Sequence, residues 1–258
     1  METSNPELRA AAVEFAKAGG DTTLDYFQRS FELQFKSDDS PVTNADRNAE
    51  RTIRNLINKH FPDHGIIGEE FGTENEDSDI VWVLDPIDGT QSFIHGVPFY
   101  TTLIGVLVNN KPEVGVVYAP ALGEMASAAI GFGAALNGNP MKIRTCDALE
   151  KATFLSTDVT TYNEHGHEAA LKQLLGKCRI HRTWGDAYGH MMVAAGRADF
   201  MIDPILNIWD AAALLPIVKE AGGSFSDLSG NETIQTGSAL SSSYELKNAI
   251  LNHFKPSV

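Results

Sequence analysis

Two carboxylates stand directly after a long apolar run, and this arrangement constrains the possible fold most. The run reads WVLDPIDGTQSF from Trp82 to Phe93, so an apolar strand leads into Asp85 and Asp88. Pro86 disfavours helical geometry at Asp85, which predicts that the strand ends there with both acids at its carboxyl end. Open α/β sheets bind ligands at that edge. The segment therefore predicts an α/β fold with a carboxylate-lined site.

Further acids follow or open apolar segments elsewhere in the chain. Glu69 and Glu70 come after the short run IIG, and Asp210 opens the predicted helix of WDAAALLPIVKEAGG. Taken alone, a Glu-Glu pair is usually a solvated turn and an aspartate at a helix start is usually an N-cap. Because three separate segments carry the pattern, we expect their acids to converge on one pocket.

The periodicity of the remaining chain predicts alternating helices and strands. Helical spacing of apolar residues predicts a first helix around Leu8–Phe15, alternation predicts a half-buried strand at Phe31–Phe35, and a capping box at Thr43 and Asp46 predicts the second helix. Further predicted strands are Ile80–Leu84, Thr101–Val108, Val114–Tyr118, Glu124–Ile130, Phe200–Ile202 and Ser224–Ser226. Further predicted helices are His167–Leu175, Asp186–Ala195 and Trp209–Ala221, the last with a C-cap at Gly222 and Gly223.

This order predicts a single layered α/β domain spanning residues 1–258. We expect an N-terminal α+β lobe, residues 1–147, to carry most of the acidic motifs. A C-terminal α/β lobe, residues 148–258, would carry Asp210 and shape substrate selectivity. The seam is predicted near Arg144–Ala152.

The charge balance limits the partners. A formal net charge of −14 would repel the phosphates of nucleic acids and of anionic membranes over most of the surface. No apolar run reaches the roughly 20 residues that span a bilayer, and the Met1–Asn5 start lacks signal-peptide features, so we expect a cytoplasmic protein. Cys146 and Cys178 have no metal-binding spacing, and they are expected to pack in the interior.

An acidic protein can bind a small phosphate ester if metal cations supply positive charge locally. Mg²⁺ prefers carboxylate oxygens, keeps several waters and binds substrate phosphate. Two Mg²⁺ would neutralise Glu69, Asp85, Asp88 and Asp210, and a third would leave two positive charges for a phosphate dianion. Without metal the same carboxylates would repel one another and the substrate.

The residues after the acidic strand suit phosphate binding. If a short helix begins after Asp88, the free backbone N–H groups at Gly89 and Thr90 can hold phosphate oxygens. Glycine also permits the close backbone approach that such a site requires.

These motifs resemble those of a known family. IIGEEFG, WVLDPIDGTQSF and WDAAALLPIVKEAGG resemble, in this order, the three signature motifs of the inositol monophosphatase superfamily, and SPVTNADR, Ser40–Arg47, resembles its upstream acidic motif. The resemblance covers nearly the whole chain. It implies a layered αβαβα sandwich, two to three Mg²⁺ per active site, inhibition by lithium and a homodimer.

The resemblance also implies the metal ligands. Glu69, Asp85 and the main-chain oxygen of Ile87 would hold one Mg²⁺, while Asp85, Asp88 and Asp210 would hold the second. Glu69 would share a weaker third ion.

Asp46 and Thr90 match the pair that orients the attacking water in this family, with Glu69 as a further catalytic residue. A metal-bound water has a lowered pKa, so the resemblance implies direct attack by water without a covalent phosphoenzyme.

Within the superfamily, KSDDSPVTNADR, FPDHGIIGEEFG and the stretch Trp184–Tyr188 most resemble the histidinol-phosphate phosphatases of histidine biosynthesis. Histidinol phosphate carries an ammonium and an imidazole, so its site needs acids away from the metals. Asp186 and Asp203 are the candidates for the ammonium, with His190 or Asn207 for the imidazole. As structural alternatives, Asp186 would cap a helix, Asp203 would start a turn and His190 would be a packed side chain.

Other functions leave the same catalytic motifs intact. An inositol-1-phosphatase would need only hydroxyl-binding groups in its substrate site. A non-catalytic phosphate-binding or regulatory protein is disfavoured because Glu69, Asp85, Asp88, Thr90 and Asp210 are all present. A nucleotide phosphatase is disfavoured because the sequence has no basic cluster for a second phosphate.

Overall fold

The structure is a computed structural model that describes residues 3–35 and 41–255. The KSDDS part of the stretch KSDDSPVTNADR, which includes Ser40 of the upstream acidic motif, therefore lies outside the described residues, as do Met1 and Glu2. The helices are α1 Asn5–Leu24, α2 Asn44–His60, α3 Thr90–Ile94, α4 Thr160–Glu164, α5 Glu168–Lys177, α6 Asp186–Ala194, α7 Ile208–Ala211, α8 Leu214–Glu220 and α9 Tyr244–Leu251.

The strands of the first half are β1 Leu33–Phe35, β2 Pro41–Thr43, β3 Gly65–Gly68, β4 Gly72–Glu74, β5 Ile80–Asp88, β6 Thr101–Val108, β7 Lys111–Ala119, β8 Glu124–Ala129, β9 Ala134–Leu136 and β10 Asn139–Pro140. Those of the second half are β11 Thr153–Ser156, β12 Ile180–Arg182, β13 Phe200–Asp203, β14 Ser224–Ser226 and β15 Ala239–Ser242.

Two sheets organise the described residues. The first has the order β10-β9-β8-β7-β6-β5-β3-β4 and the second the order β12-β11-β13-β15-β14, while β1 and β2 pair separately. Most neighbours in the first sheet are antiparallel, but β3 runs parallel to β5. In the second sheet β11 runs parallel to β13. Parallel neighbours end at the same sheet edge, so each pair delivers the residues that follow it to one place.

Helices cover both sheets in alternating layers. On one face of the first sheet, Phe15 of α1 and Ile53 of α2 pack against Trp82. On its other face lie Met191 of α6 and Ile217 of α8. Helix α6 also contacts the second sheet, whose far face is covered by apolar residues of α5 and α9. The layers are therefore αβαβα, as predicted.

Glycines in the first sheet allow the junction between α7 and α8 to lie directly on it. Gly105 and Gly115 are paired neighbours on β6 and β7. A Cβ at Gly105 would stand 2.6 Å from the Ala212 Cβ, and one at Gly115 would overlap the Ala213 backbone. This close approach fixes α7, and with it Asp210, against the sheet.

The structure confirms most predicted elements and corrects a few. Strand β1 is exposed rather than half-buried, because it pairs only with β2. The predicted helix Trp209–Ala221 is broken into α7 and α8 where the chain crosses Gly105 and Gly115. Strand β5 continues past Pro86 to Asp88, with an irregular register at this end.

Residues 141–152 lie between the last strand of the first sheet and the first strand of the second. The division into two lobes at this segment stays a prediction. Within residues 3–35 and 41–255, no helix has the length and apolar character to cross a membrane.

Candidate active site

Three aspartates meet at the carboxyl end of β5. Ligand oxygens of Asp85, Asp88 and Asp210 all lie within 4.8 Å of one another. Strand β5 supplies the first two and α7 supplies the third, so segments more than a hundred residues apart converge as the sequence predicted. We call these three residues the carboxylate cluster.

Backbone N–H groups orient each carboxylate of the cluster. The donors are Ile87 to Asp85 Oδ1 at 3.0 Å, Ala187 to Asp88 Oδ2 at 2.7 Å and Asn207 to Asp210 Oδ2 at 2.6 Å. The Asp210 bond is the capping interaction that begins α7. The donors come from β5, α6 and the residue before α7, so the folded layers set the directions of the carboxylates.

Burial makes the cluster electrostatically costly. Burial raises the pKa of Asp85 well above its usual value, and the charge of Glu69 raises it further. Burial, followed by the charge of Asp186, likewise raises the pKa of Asp88. The pKa of Asp210 is raised to about 6, chiefly by burial. Without a cation the cluster therefore takes up protons more readily than free aspartates do, and a bound cation would stabilise its charged form.

The donor set fits a hard divalent cation. Mg²⁺ takes carboxylate and carbonyl oxygens in compact geometry, and the cluster supplies closely spaced oxygens. Thr90 Oγ1 donates to the Ile87 carbonyl oxygen at 3.0 Å, which holds this predicted ligand beside the cluster. The charge of Glu69 contributes to the raised pKa of both Asp85 and Asp210, so Glu69 lies close to the cluster.

The predicted phosphate turn has the expected backbone. Gly89 has φ +80°, in the left-handed region that favours glycine, and α3 begins at Thr90. Asp46 is buried and accepts hydrogen bonds from the Thr43 N–H at 2.8 Å and hydroxyl at 2.5 Å. Burial raises the pKa of Asp46 to about 7. The charges of Glu70 and Glu69 contribute to this raised pKa after burial, which places Asp46 near the acids of the site.

A cleft with a volume of about 120 Å³ opens beside the carboxylate cluster. Its polar lining includes Thr157, Asp158, Asp186 and Asp203 in addition to Asp88 and Asp210 of the cluster. Its apolar lining is Ala187, Pro204, Ile205, Leu206 and Leu214. None of the described residues lining this acidic cleft is a lysine or an arginine. The acidic cleft is therefore suited to a positively charged group.

Asp203 is held by two internal donors. Thr157 Oγ1 donates to Asp203 Oδ1 at 2.7 Å, and His190 Nε2 lies 3.1 Å from Asp203 Oδ2. His190 is 1% exposed, and its Nδ1 lies 2.7 Å from Ser241 Oγ. Both ring nitrogens of His190 are thus engaged within the protein, so the structure does not offer them to an imidazole as predicted.

Asp186 and Asn207 differ in their relation to the acidic cleft. Asp186 lines it and also lies against the phosphate turn, since a Cβ at Gly89 would meet Asp186 Oδ2 at 2.8 Å. Burial, followed by the charge of Asp203, raises the pKa of Asp186 to about 7. Asn207 is exposed at the start of α7 and is not among the described residues that line the acidic cleft, so its contact with an imidazole stays a prediction.

Sequence reasoning missed Thr157 and Asp158. They follow β11, the buried segment TFLS, so a strand is again followed by an acid, as at Asp85. Because β11 and β13 are parallel neighbours, these residues and Asp203 reach the same sheet edge. The strand-to-acid pattern could have found Asp158, but only the pairing of β11 with β13 places it beside Asp203.

The αβαβα layers place a buried carboxylate cluster that could hold a metal ion at the carboxyl end of β5, an arrangement that fits a phosphatase. The family model described as the inositol monophosphatase family matches residues 4–258. The chain belongs to the inositol monophosphatase family and is a phosphatase.

Similar proteins carry more than one name. A histidinol-phosphatase of Chlorobaculum parvum is 43% identical over 236 residues, 91% of each chain. The extragenic suppressor protein suhB of Bartonella henselae has a structure that superimposes with a TM-score of 0.91 at 26% identity, covering 97% of this chain and 99% of that one. An inositol monophosphatase from Anabaena gives a TM-score of 0.86 at 27% identity, covering 98% and 96%. These relatives share the family but differ in what they are named for, so their names do not identify one substrate.

Proposed function

We propose that the protein is a Mg²⁺-dependent phosphomonoesterase that hydrolyses histidinol phosphate to histidinol and phosphate. The observation that carries this proposal is the acidic cleft. It is lined by Asp158, Asp186 and Asp203 besides two acids of the carboxylate cluster, and none of its described lining residues is a lysine or an arginine. Burial and then the charge of Asp203 raise the pKa of Asp186, and a substrate with an ammonium group would stabilise its charged form.

The carboxylate cluster, Glu69 and the Ile87 carbonyl would hold two to three Mg²⁺. When bound, these ions would lower the pKa of water and offset the charge of the phosphate. The backbone N–H groups of Gly89 and Thr90 would bind phosphate oxygens. Asp46 and the Thr90 hydroxyl would orient the attacking water, and Asp46 would take up its proton. As the water oxygen bonds to phosphorus, the ester P–O bond would break, and the leaving oxygen would take a proton from solvent water to depart as an alcohol.

Asp203 would select the ammonium group. Its two internal donors, Thr157 and His190, hold the carboxylate in one orientation and leave acceptor capacity toward the acidic cleft. Asp186 lies nearer the phosphate turn. Because the ammonium of histidinol phosphate is close to its phosphate ester, Asp186 is the second candidate for this contact.

Inositol 1-phosphate is the alternative substrate, supported by the similarity to the Anabaena inositol monophosphatase. The experiment compares kcat/KM for histidinol phosphate, inositol 1-phosphate and p-nitrophenyl phosphate at one Mg²⁺ concentration. We expect histidinol phosphate to be preferred by at least about tenfold, the effect of one charged hydrogen bond. Preference for inositol 1-phosphate would select the alternative, and hydrolysis of no ester would point to a phosphate-binding or regulatory protein.

A homodimer, lithium inhibition and a cytoplasmic location complete the proposal. Light scattering on the purified protein tests the dimer. Inhibition of p-nitrophenyl phosphate hydrolysis by millimolar lithium tests the second point.

A further inference from the structure

A buried ion pair lies behind the turn that carries Glu69. The Glu50 side chain on α2 is completely buried, and Arg54, one helical turn later, is 5% exposed. Arg54 Nε donates to Glu50 Oε1 at 2.7 Å. Burying a charge is costly unless its partners compensate it fully, so the contacts of this pair indicate what it stabilises.

Glu50 uses its remaining acceptor capacity on the turn after β3. The Glu70 N–H donates to Glu50 Oε2 at 2.8 Å, and the Phe71 N–H donates to Oε1 at 3.2 Å. Glu69, a predicted metal ligand, directly precedes these donors. A single carboxylate therefore binds the backbone on the C-terminal side of Glu69, while the Glu69 N–H itself donates to the Leu84 carbonyl at 3.2 Å.

Arg54 closes the other side of the same turn. Its guanidinium donates to the Gly72 carbonyl and to Glu74 Oε1, the latter at 2.8 Å. A Cβ at Gly68 would overlap the Glu50 carboxylate, so glycine is needed for the pair to lie against the end of β3. The ion pair thus spans the turn from Gly68 to Glu74, with Glu69 between its contacts.

We propose that Glu50 and Arg54 are positioning residues that hold Glu69 in the orientation that binds Mg²⁺. The inference rests on the proposed metal-assisted function but not on the identity of the substrate. Groups that orient metal ligands typically change metal affinity by about 10–100-fold when removed. Without the contacts of Glu50 and Arg54, Glu69 would lose this orientation but keep its carboxylate.

The test replaces both charges together, because removing one would leave the other buried without a partner. Glu50→Met/Arg54→Met keeps side chains of similar length and removes the contacts to the turn. Mg²⁺ binding is measured by calorimetry without substrate, and hydrolysis of p-nitrophenyl phosphate is followed against Mg²⁺ concentration. We expect Mg²⁺ affinity to fall about tenfold or more, while kcat at saturating Mg²⁺ largely recovers.

Asp199→Asn is the matched control. Asp199 is also buried, pairs with Arg144 at 2.5 Å and accepts the Thr153 N–H at 2.6 Å, but it lies in the other half of the chain. We expect this variant to lower the unfolding temperature and to leave Mg²⁺ affinity unchanged. Glu50→Gln, which nearly preserves volume, replaces the double variant if that one fails to fold, with the same expected loss of affinity.

Wild-type Mg²⁺ affinity in the Glu50 variants would overturn the positioning role. So would an equal loss of affinity in Asp199→Asn, because the effect would then reflect general destabilisation. If the wild-type protein itself binds no Mg²⁺, the proposed metal-assisted function fails. If instead the wild-type protein and the Glu50 variants bind Mg²⁺ equally well, only the positioning role fails.

Discussion

The two sheets build different parts of the candidate site by the same device. In the first sheet the parallel strands β3 and β5 lead to Glu69 and the carboxylate cluster. In the second, the parallel strands β11 and β13 lead to Thr157, Asp158 and Asp203. The end of the first pair carries the acids that are proposed to bind a metal cation, and the end of the second pair adds further acids to the cleft that Asp88 and Asp210 also line.

Their local environments account for the difference. The acids of the carboxylate cluster crowd one another, and burial raises the pKa of Asp85 and Asp88 well above the usual range. Asp203 accepts hydrogen bonds from two side chains, Thr157 and His190, whereas the carboxylates of the cluster accept from backbone N–H groups. We infer that the first edge supplies chemistry common to many phosphate esters, while the second edge supplies selectivity. The predictions below test that separation, starting with the largest effect.

Asp85→Asn should abolish most activity on every ester. It removes a charge from the centre of the carboxylate cluster, and groups that only orient metal ligands already change activity by about 10–100-fold. We expect kcat/KM to fall by more than roughly 100-fold on histidinol phosphate and p-nitrophenyl phosphate alike. The metal-free variant should unfold at the same or a higher temperature, because repulsion within the cluster is reduced. Activity near that of wild type would remove Asp85 from the metal site.

Gly105→Ala should also impair both esters, through the position of Asp210. The new Cβ would stand 2.6 Å from Ala212 Cβ, so the junction of α7 and α8 must move. Overpacking of this kind costs about 1–3 kcal/mol of unfolding free energy. Gly176→Ala is the control, because its Cβ would meet open space. A selective loss on histidinol phosphate would contradict the assignment of Asp210 to the shared chemistry.

The metal-free protein should be more stable at pH 5 than at pH 8. Asp46 and Asp186 have pKa values raised to about 7, and Asp210 to about 6, each from 3.8. Between pH 3.8 and about 7 the folded protein therefore binds more protons than the unfolded chain. The free energy of unfolding falls as the pH rises through this range. Mg²⁺ should raise the unfolding temperature more at pH 8 than at pH 5, as thermal scans with and without EDTA can measure. Equal Mg²⁺ stabilisation at both pH values would contradict the proton–metal competition.

Asn207→Ala should have the smallest effect. Asn207 lies at the start of α7, outside the acidic cleft, so the substitution removes a helix cap worth about 1 kcal/mol. The ratio of kcat/KM between histidinol phosphate and p-nitrophenyl phosphate should stay at the wild-type value. A loss of kcat/KM on histidinol phosphate alone would instead indicate that Asn207 contacts the imidazole of the substrate.

The acids at the edge of the first sheet were easier to predict from the sequence than those at the edge of the second sheet, for a physical reason. Asp85 and Asp88 lie within four residues, directly after an apolar strand, so local pattern alone places them together. Asp203 lies beside Thr157 only because β11 and β13 pair, and no local pattern encodes that pairing. The structure shows His190 as a packed side chain, the alternative to an imidazole contact; its burial and its two hydrogen-bond partners are not visible in the sequence.

Secondary structure shows the same limit. Capping chemistry at Thr43 and Asp46 predicted the start of α2, and the structure confirms it. Apolar periodicity from Trp209 to Ala221 predicted one helix, whereas the structure has two. The break depends on the approach of Ala212 and Ala213 to glycines of the sheet, a tertiary contact that helical periodicity does not report.

The most direct test of the separation between chemistry and selectivity is Asp203→Asn, assayed on two substrates with Asp186→Asn in parallel. A hydrogen bond to a charged group contributes about 1.5–3 kcal/mol, so kcat/KM for histidinol phosphate should fall by roughly one to two orders of magnitude. Hydrolysis of p-nitrophenyl phosphate, which has no ammonium, should barely change. An equal loss on both substrates would move Asp203 into the metal site or the fold. No loss on either substrate in Asp203→Asn and in Asp186→Asn would contradict the selective role of the acidic cleft.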